Sequence, residues 1–147
     1  MDPLSLILAC TTLISAIGKT SNLITSFVRR CRSSHHDLDN ISRELTSLES
    51  VLGLLKDDIA NTNGRAIPER LQEVIATIIA NCSRVLEELG ELLQMRNRRV
   101  EEAVWWAMTG AYDAAKLRSS LDNYGRSLNL ALELLTRYVY LGDHCLS

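Results

Sequence analysis

Turn-forming residues are scarce in this chain: its 147 residues include seven glycines and two prolines, about half the roughly 12% of an average protein. Collagen-like, low-complexity and turn-dense β architectures are thereby excluded. Aromatic residues are also few, with one phenylalanine, two tryptophans and four tyrosines, whereas leucine fills 25 positions. There is no excess of charge of one sign. A net charge of -2, with 46% hydrophobic and 23% charged residues, is a folding composition and gives no electrostatic reason to expect a nucleic-acid partner. The four cysteines, Cys10, Cys31, Cys82 and Cys145, lie far apart and form no C-x-x-C pair. Most fall inside leucine-rich helical patterns, where a thiol packs as a small hydrophobe, so a reduced, cytoplasmic chain without a disulfide framework is expected.

Reactive constellations are missing as well. His35 and His36 are adjacent, which on a helix points them about 100° apart, whereas a two-histidine metal grip needs the i, i+4 spacing. His144 falls in a short tail. There is no G-x-S-x-G elbow, glycine-rich phosphate loop, H-E-x-x-H or aspartate-rich calcium loop. Glu87, Glu88 and Glu91 read as a solvated helix face. No catalytic residue, metal or cofactor is expected, and the chain reads as a non-enzyme.

What is present is helical periodicity. Leu38, Ile41, Leu45, Leu48, Leu52, Leu55 and Ile59 recur at steps of three and four, forming one uninterrupted seam, with Glu44, Glu49, Lys56, Asp57 and Asp58 off it. The pattern stops at the turn sequence 61–64, and Pro68 suits the first turn of the next helix. There the seam returns as Leu71, Ile75, Ile78, Cys82, Val85, Leu89 and Leu92. Val74, Ile79, Leu86 and Leu93 widen it enough to meet two neighbouring helices. After Gln94 come Arg96, Arg98, Arg99, Glu101 and Glu102, then a short helix containing Val104, Trp105, Trp106 and Met108. Gly110 is expected to interrupt it, and Asp113 to cap a last long helix carrying Leu117, Leu121, Tyr124, Leu128, Leu132, Leu135 and Val139. The expected fold is an all-α up-and-down bundle of four long helices plus one short helix over residues 1–141, followed by a short polar tail, 142–147.

The first segment differs from the rest. Between Asp2 and Arg29 the only charge is Lys19, and the apolar run through Leu4, Leu6, Ile7, Leu8, Leu13, Ile14 and Ile17 opens a stretch longer than the ~20 residues that cross a bilayer core. These seven are the membrane-insertion candidates. The run opens on Asp2 rather than a basic region, so it is not read as a secretory signal. Ser5, Ala9, Thr12 and Ala16 form a small-residue stripe suited to close helix packing. Arg29, Arg30 and Arg32 follow at once. Cations at a helix carboxyl end complement the macrodipole, and each is worth about 1 kcal/mol near an anionic leaflet, which makes the three anionic-lipid candidates. Trp105 and Trp106 are interfacial aromatic candidates. Two adjacent tryptophans cannot both face the core of one regular helix, and at least one is expected to close the bundle.

The opening MDPLSLILACTTLISAIGKTSNLITSFV, the middle phrase SRELTSLESVLGLLKDD and the distal VWWAMTGAYDAAKLRSSLDNYGRSLNLALELL together resemble the fungal HeLo-like N-terminal domains of STAND and NLR-type proteins. The resemblance spans Met1 to about Leu135. It implies the effector or signalling end of a fungal immune-type or incompatibility system, with NLR-type or amyloid-signalling partners and self-association. It further implies a cytoplasmic bundle that relocates to the plasma membrane when activated, where the first helix inserts and causes cell death. The same amphipathic geometry also suits a helical adaptor that recruits protein partners and never touches lipid.

Overall fold

The computed structural model describes residues 2–62, 65–94 and 102–145. Helix α1 (Pro3–Arg30) begins where the Asp2 carboxylate accepts the Ser5 N–H at 2.7 Å, with Pro3 in the first turn, and ends on Arg29 and Arg30. Both termini therefore follow the preferences of the helix dipole and of N-capping. A single 3-10 turn, Arg32–Ser34, reverses the chain into α2 (His35–Ala60). Helix α3 (Glu69–Gln94) starts just after Pro68, whose carbonyl accepts the first helical bond, from Gln72. Helix α4 (Glu102–Trp105) runs without a break through a π-helical turn, Trp106–Gly110, into α5 (Ala111–Cys145). No strand occurs among the described residues.

The long helices form a ring in which α1 packs on α2 and α3, while α5 packs on the same two from the other side. Helices α2 and α3 meet only across the diagonal, although they are consecutive in the chain. The connection between them must then cross the end of the bundle, and buried Ile67 and Thr62 show how it does so. Thr62 Oγ1 donates to the Ile59 carbonyl at 2.8 Å, Gln72 Nε2 to the Ile67 carbonyl at 2.7 Å, and the Tyr138 hydroxyl to the Ala66 carbonyl. Backbone groups that leave a helix near a core need such partners. Here the side chains of α3 and α5 supply two of them.

Every residue of the α2 seam is buried. The α3 stripe is buried from Ile75 to Leu93, but its first residues are not: Leu71 is half-buried and Val74 is exposed. With Ile78, Leu130, Ala131 and Leu134 they line an open apolar groove of about 620 Å³ between α3 and α5. Alanines 114 and 131 join the α5 seam, where their small size lets the helices approach. Three sequence expectations are corrected. Gly110 does not interrupt the chain, because the backbone widens into a π-turn there and continues. Asp113 lies inside the continuous helix and caps nothing. Gly142 does not end α5, which runs to Cys145; a side chain at 142 would collide with the Arg65 guanidinium. The Asn63-Gly64 turn and the cluster Arg96, Arg98, Arg99 and Glu101 lie outside the described residues, as do the side chains of Glu102, His144 and Cys145.

Leu52 and Leu54 are two residues apart and lie on opposite faces of α2, one fully buried and the other 57% exposed. Leu52→Ala should cost about 2–5 kcal/mol through lost transfer and a residual cavity. Leu54→Ala should stay within about 0.5 kcal/mol of the parent, both read by urea denaturation.

Candidate functional site

Helix α1 is the element whose composition the fold does not account for. One face buries Leu6, Cys10, Leu13, Ile17, Thr20, Ile24 and Phe27 against α2 and α3. The helix is nonetheless long and apolar enough to cross a bilayer, with a mean hydropathy of 1.4 over its most apolar window, and only 28% of that window is buried. A core helix earns its apolarity by burial; this one has much to spare. Its outer face carries Thr11, Thr12, Ser15, Gly18, Asn22, Thr25 and Ser26 with Lys19 as the lone charge. The exposed faces of α2 and α3, in contrast, are studded with ions such as Arg43, Glu49, Asp57, Glu73, Arg84 and Glu87.

The structure divides the seven insertion candidates three ways. Leu6, Leu13 and Ile17 are in the core, Ile7 and Ile14 are half-buried, and Leu4 and Leu8 stand 77% and 66% exposed, one helical turn apart. Several outer hydroxyls are already satisfied within the helix. Thr11 Oγ1 donates to the Ile7 carbonyl at 2.9 Å and Thr25 Oγ1 to the Ser21 carbonyl at 3.1 Å, while on the inner face Thr20 Oγ1 donates to the Ala16 carbonyl at 2.9 Å. A hydroxyl bonded to its own helix takes its partner along into any solvent, which lowers the penalty for burying it in hydrocarbon.

The far end of α1 is basic. Arg29, Arg30 and Arg32 are all exposed, and the Arg30 guanidinium lies 5.7 Å from the centre of the Phe27 ring. Among the described residues neither Arg29 nor Arg32 has an acidic partner. Asp39, which lines a small groove with Arg29 and His35, is engaged by Arg43 at 3.1 Å. The two tryptophans meet α1 at this same end. Trp106 is buried, its ring centre 5.4 Å from that of Phe27, and its indole N–H donates to the Asp37 carboxylate at 3.0 Å. Trp105 is half-buried and meets Phe27 edge-on at 6.4 Å. The only phenylalanine in the chain thus sits among both tryptophans, an arrangement that a regular helical register does not predict.

Among the described residues no group of histidine, cysteine and carboxylate side chains could hold a metal ion. His35 and His36 are exposed at the start of α2. Cys10, Cys31 and Cys82 are free and buried. Burial pushes the Cys10 thiol up to about 11, with Lys56 pulling weakly the other way, and pushes Cys82 up to about 12. The reactive form of cysteine is the thiolate, so both are inert while α1 stays seated.

Over residues 1–138 the chain matches the family described as pigment biosynthesis cluster protein PigL N-terminal, a fungal, helical N-terminal domain. No curated protein and no solved structure shows a significant match.

Between the ordinary thiol value of 9 and the raised folded values, the unfolded chain has released protons that the folded chain keeps. Stability must therefore fall as pH rises from 9 to about 11. The denaturation midpoint should decline over that interval, and less steeply in a Cys10→Ala, Cys82→Ala double variant.

Proposed function

The chain belongs to the PigL N-terminal family of pigment biosynthesis cluster proteins, and on that premise we propose that it is a latent effector domain whose first helix exchanges the bundle for a membrane when copies are clustered. In this reading it works in the cytoplasm and relocates to the plasma membrane. It acts by self-association and lipid contact rather than by catalysis, under an NLR-type or amyloid-signalling partner, and the outcome is cell death in a fungal immune-type or incompatibility response.

The observation that carries the reading is the mismatch in α1 between apolarity and burial. Lipid can accept both faces of this helix, while the bundle accepts one. The stretch from Pro3 to Gly18 is free of charge and about 24 Å long at 1.5 Å per residue, a little short of the roughly 30 Å hydrocarbon core. Lys19 would then lie near the edge of the hydrocarbon, within reach of the interface by snorkelling. Arg29, Arg30 and Arg32 would remain on the cytoplasmic side with the anionic headgroups. The opposing cost is the apolar surface of α2 and α3 that α1 now covers, which keeps an unclustered copy closed. The α3–α5 groove favours a second reading, a protein-binding adaptor, which requires no lipid at all.

The two readings separate on anionic vesicles. The full chain, fused to a chemically induced dimeriser, should release an entrapped dye when clustered. Leu4→Glu with Leu8→Glu, both exposed in the resting fold, should abolish release, whereas Leu130→Glu on the exposed face of α5 should not. Arg29→Ala with Arg32→Ala should weaken vesicle binding and flatten its salt dependence. Release that persists undiminished in the Leu4, Leu8 variant defeats the insertion reading, and absence of vesicle binding at any salt favours the adaptor.

A further inference from the structure

Helices α3 and α5 leave a surface seam that changes character along its length. Near the start of α3 it is the apolar groove, where Val74, Leu130 and Leu134 stand about half exposed. Towards the end of α3 it opens again, into a cleft of about 590 Å³ lined by Glu88, Glu91, Asp113 and Lys116. Among the described residues none of these three carboxylates is in an ion pair, and Lys116 lies over the Tyr112 ring at 4.6 Å. One end of the seam therefore suits hydrocarbon and the other a cation. The Tyr138 bond to the Ala66 carbonyl puts the end of α5 beside the start of α3, so the change from apolar to acidic follows the direction of α3.

The outer face of α1 carries the complementary order. Leu8, Ser15, Asn22 and Arg29 are all exposed, at intervals of seven residues, which places them in one line along a helix. That line starts at Leu4 and Leu8, passes small uncharged side chains with Lys19 beside them, and ends on a cation. Gly18 belongs to the same face, and a β-carbon there would meet nothing within 4 Å. Glycine inside a helix is less favourable than alanine, and packing within one copy gives no reason for it; a helix lying along this face would use it for close approach. The lengths agree as well. Leu8 and Arg29 are 21 residues apart, as are Asp113 and Leu134, about 32 Å at 1.5 Å per residue.

We infer that the α3–α5 seam of one copy receives the outer face of α1 from a second copy, with Leu4 and Leu8 against Val74, Leu130 and Leu134, and Arg29 among Glu88, Glu91 and Asp113. A second copy is the occupant because its α1 offers hydrocarbon and cation in the required order and at the required separation. That helix stays seated on its own bundle by its inner face. The two surfaces lie on different sides of the molecule, so the contact is heterologous: each copy in a pair keeps one unused surface, and assembly continues until a ring closes or a filament grows. Within a copy α1 and α3 run in the same direction, each antiparallel to α2. Laying one copy's α1 parallel to the next copy's α3 therefore points every first helix the same way. The inference rests on the proposed function for its purpose, and deepens it by naming the surface through which copies cluster. Lipid and seam compete for the same face, so assembly aligns the copies without itself releasing α1.

The contact forms in water and is tested there, by sedimentation velocity of the full chain without lipid at concentrations up to about 1 mM. The parent should associate beyond the dimer as concentration rises. Leu8→Glu with Arg29→Glu spoils one surface, and Val74→Glu with Leu134→Glu the other. All four positions are exposed, so helical circular dichroism should be unchanged. Each double variant alone should be monomeric, its self-affinity reduced at least about tenfold. Mixed in equal amounts they should form a heterodimer and nothing larger, because one intact surface of each kind remains. Adding Glu88→Arg to Arg29→Glu in one chain should restore part of the association that Arg29→Glu alone removes. A monomeric parent overturns the proposal and leaves the groove to a different protein. A parent that stops at the dimer overturns it in favour of an isologous face. So does either double variant that assembles like the parent, or a mixture that stays monomeric. Membrane insertion stands or falls separately, because an imposed dimeriser clusters copies without this seam.

Discussion

Everything in this molecule depends on how α1 is seated: by one face, between two helices that barely touch each other. Leu6, Cys10, Leu13, Ile17, Ile24 and Phe27 supply that face, and burying a large aliphatic side chain yields about 1.5–3 kcal/mol. The sum is ample to keep the helix in place. Yet the outer face has neither the ionic pairs nor the dense charge that bind α2, α3 and α5 to water. The resting position of α1 is therefore set on one side only, and what the other side meets is a matter of surroundings.

The ring arrangement explains why the rest of the chain looks as it does. Because α2 and α3 are diagonal partners, the link between them must pass over the core, and a polar loop would leave its backbone groups stranded there. Ile67 closes the end, and Thr62, Gln72 and Tyr138 provide hydrogen bonds around it. At the opposite end the closure is aromatic, with Phe27 and the two indoles. A chain with seven aromatic residues places three of them at one corner, which marks that corner as the place where aliphatic packing alone does not suffice.

Much of this was legible in the sequence. The α2 seam from Leu38 to Ile59 is buried residue for residue, because a strict alternation of three and four steps has one solution on a helix. The single-lysine composition of α1 was equally plain, and so was the all-α architecture. Which residues of α1 face outward was less so: Leu4 and Leu6 look alike in a run that is apolar throughout, and only packing distinguishes them. Val74 belongs to the right stripe but lies at the end of α3 where the neighbouring helices diverge, and so lines a groove rather than the core. The ring order is invisible to periodicity, since a seam says that a helix has neighbours and not which ones. The π-turn was hidden for a related reason. Gly110, four residues after a tryptophan pair, signals an irregularity, and a break is its commonest form; a widened turn becomes apparent only when the rings that occupy the glycine's side are seen. The basic cluster from Arg96 to Arg99 adds nothing here, since it lies outside the described residues.

One consequence of the ring order concerns the shape left behind if a single rod is withdrawn. In a layout where consecutive rods are neighbours throughout, removing the first leaves a triangle whose members still touch pairwise. Here the second and third rods share no wall, so withdrawal of the first leaves a trough hinged on the last rod, lined on both flanks by aliphatic side chains. Such a trough has no compact form of its own until its flanks swing together, and the polypeptide that remains must change its overall outline in the same event.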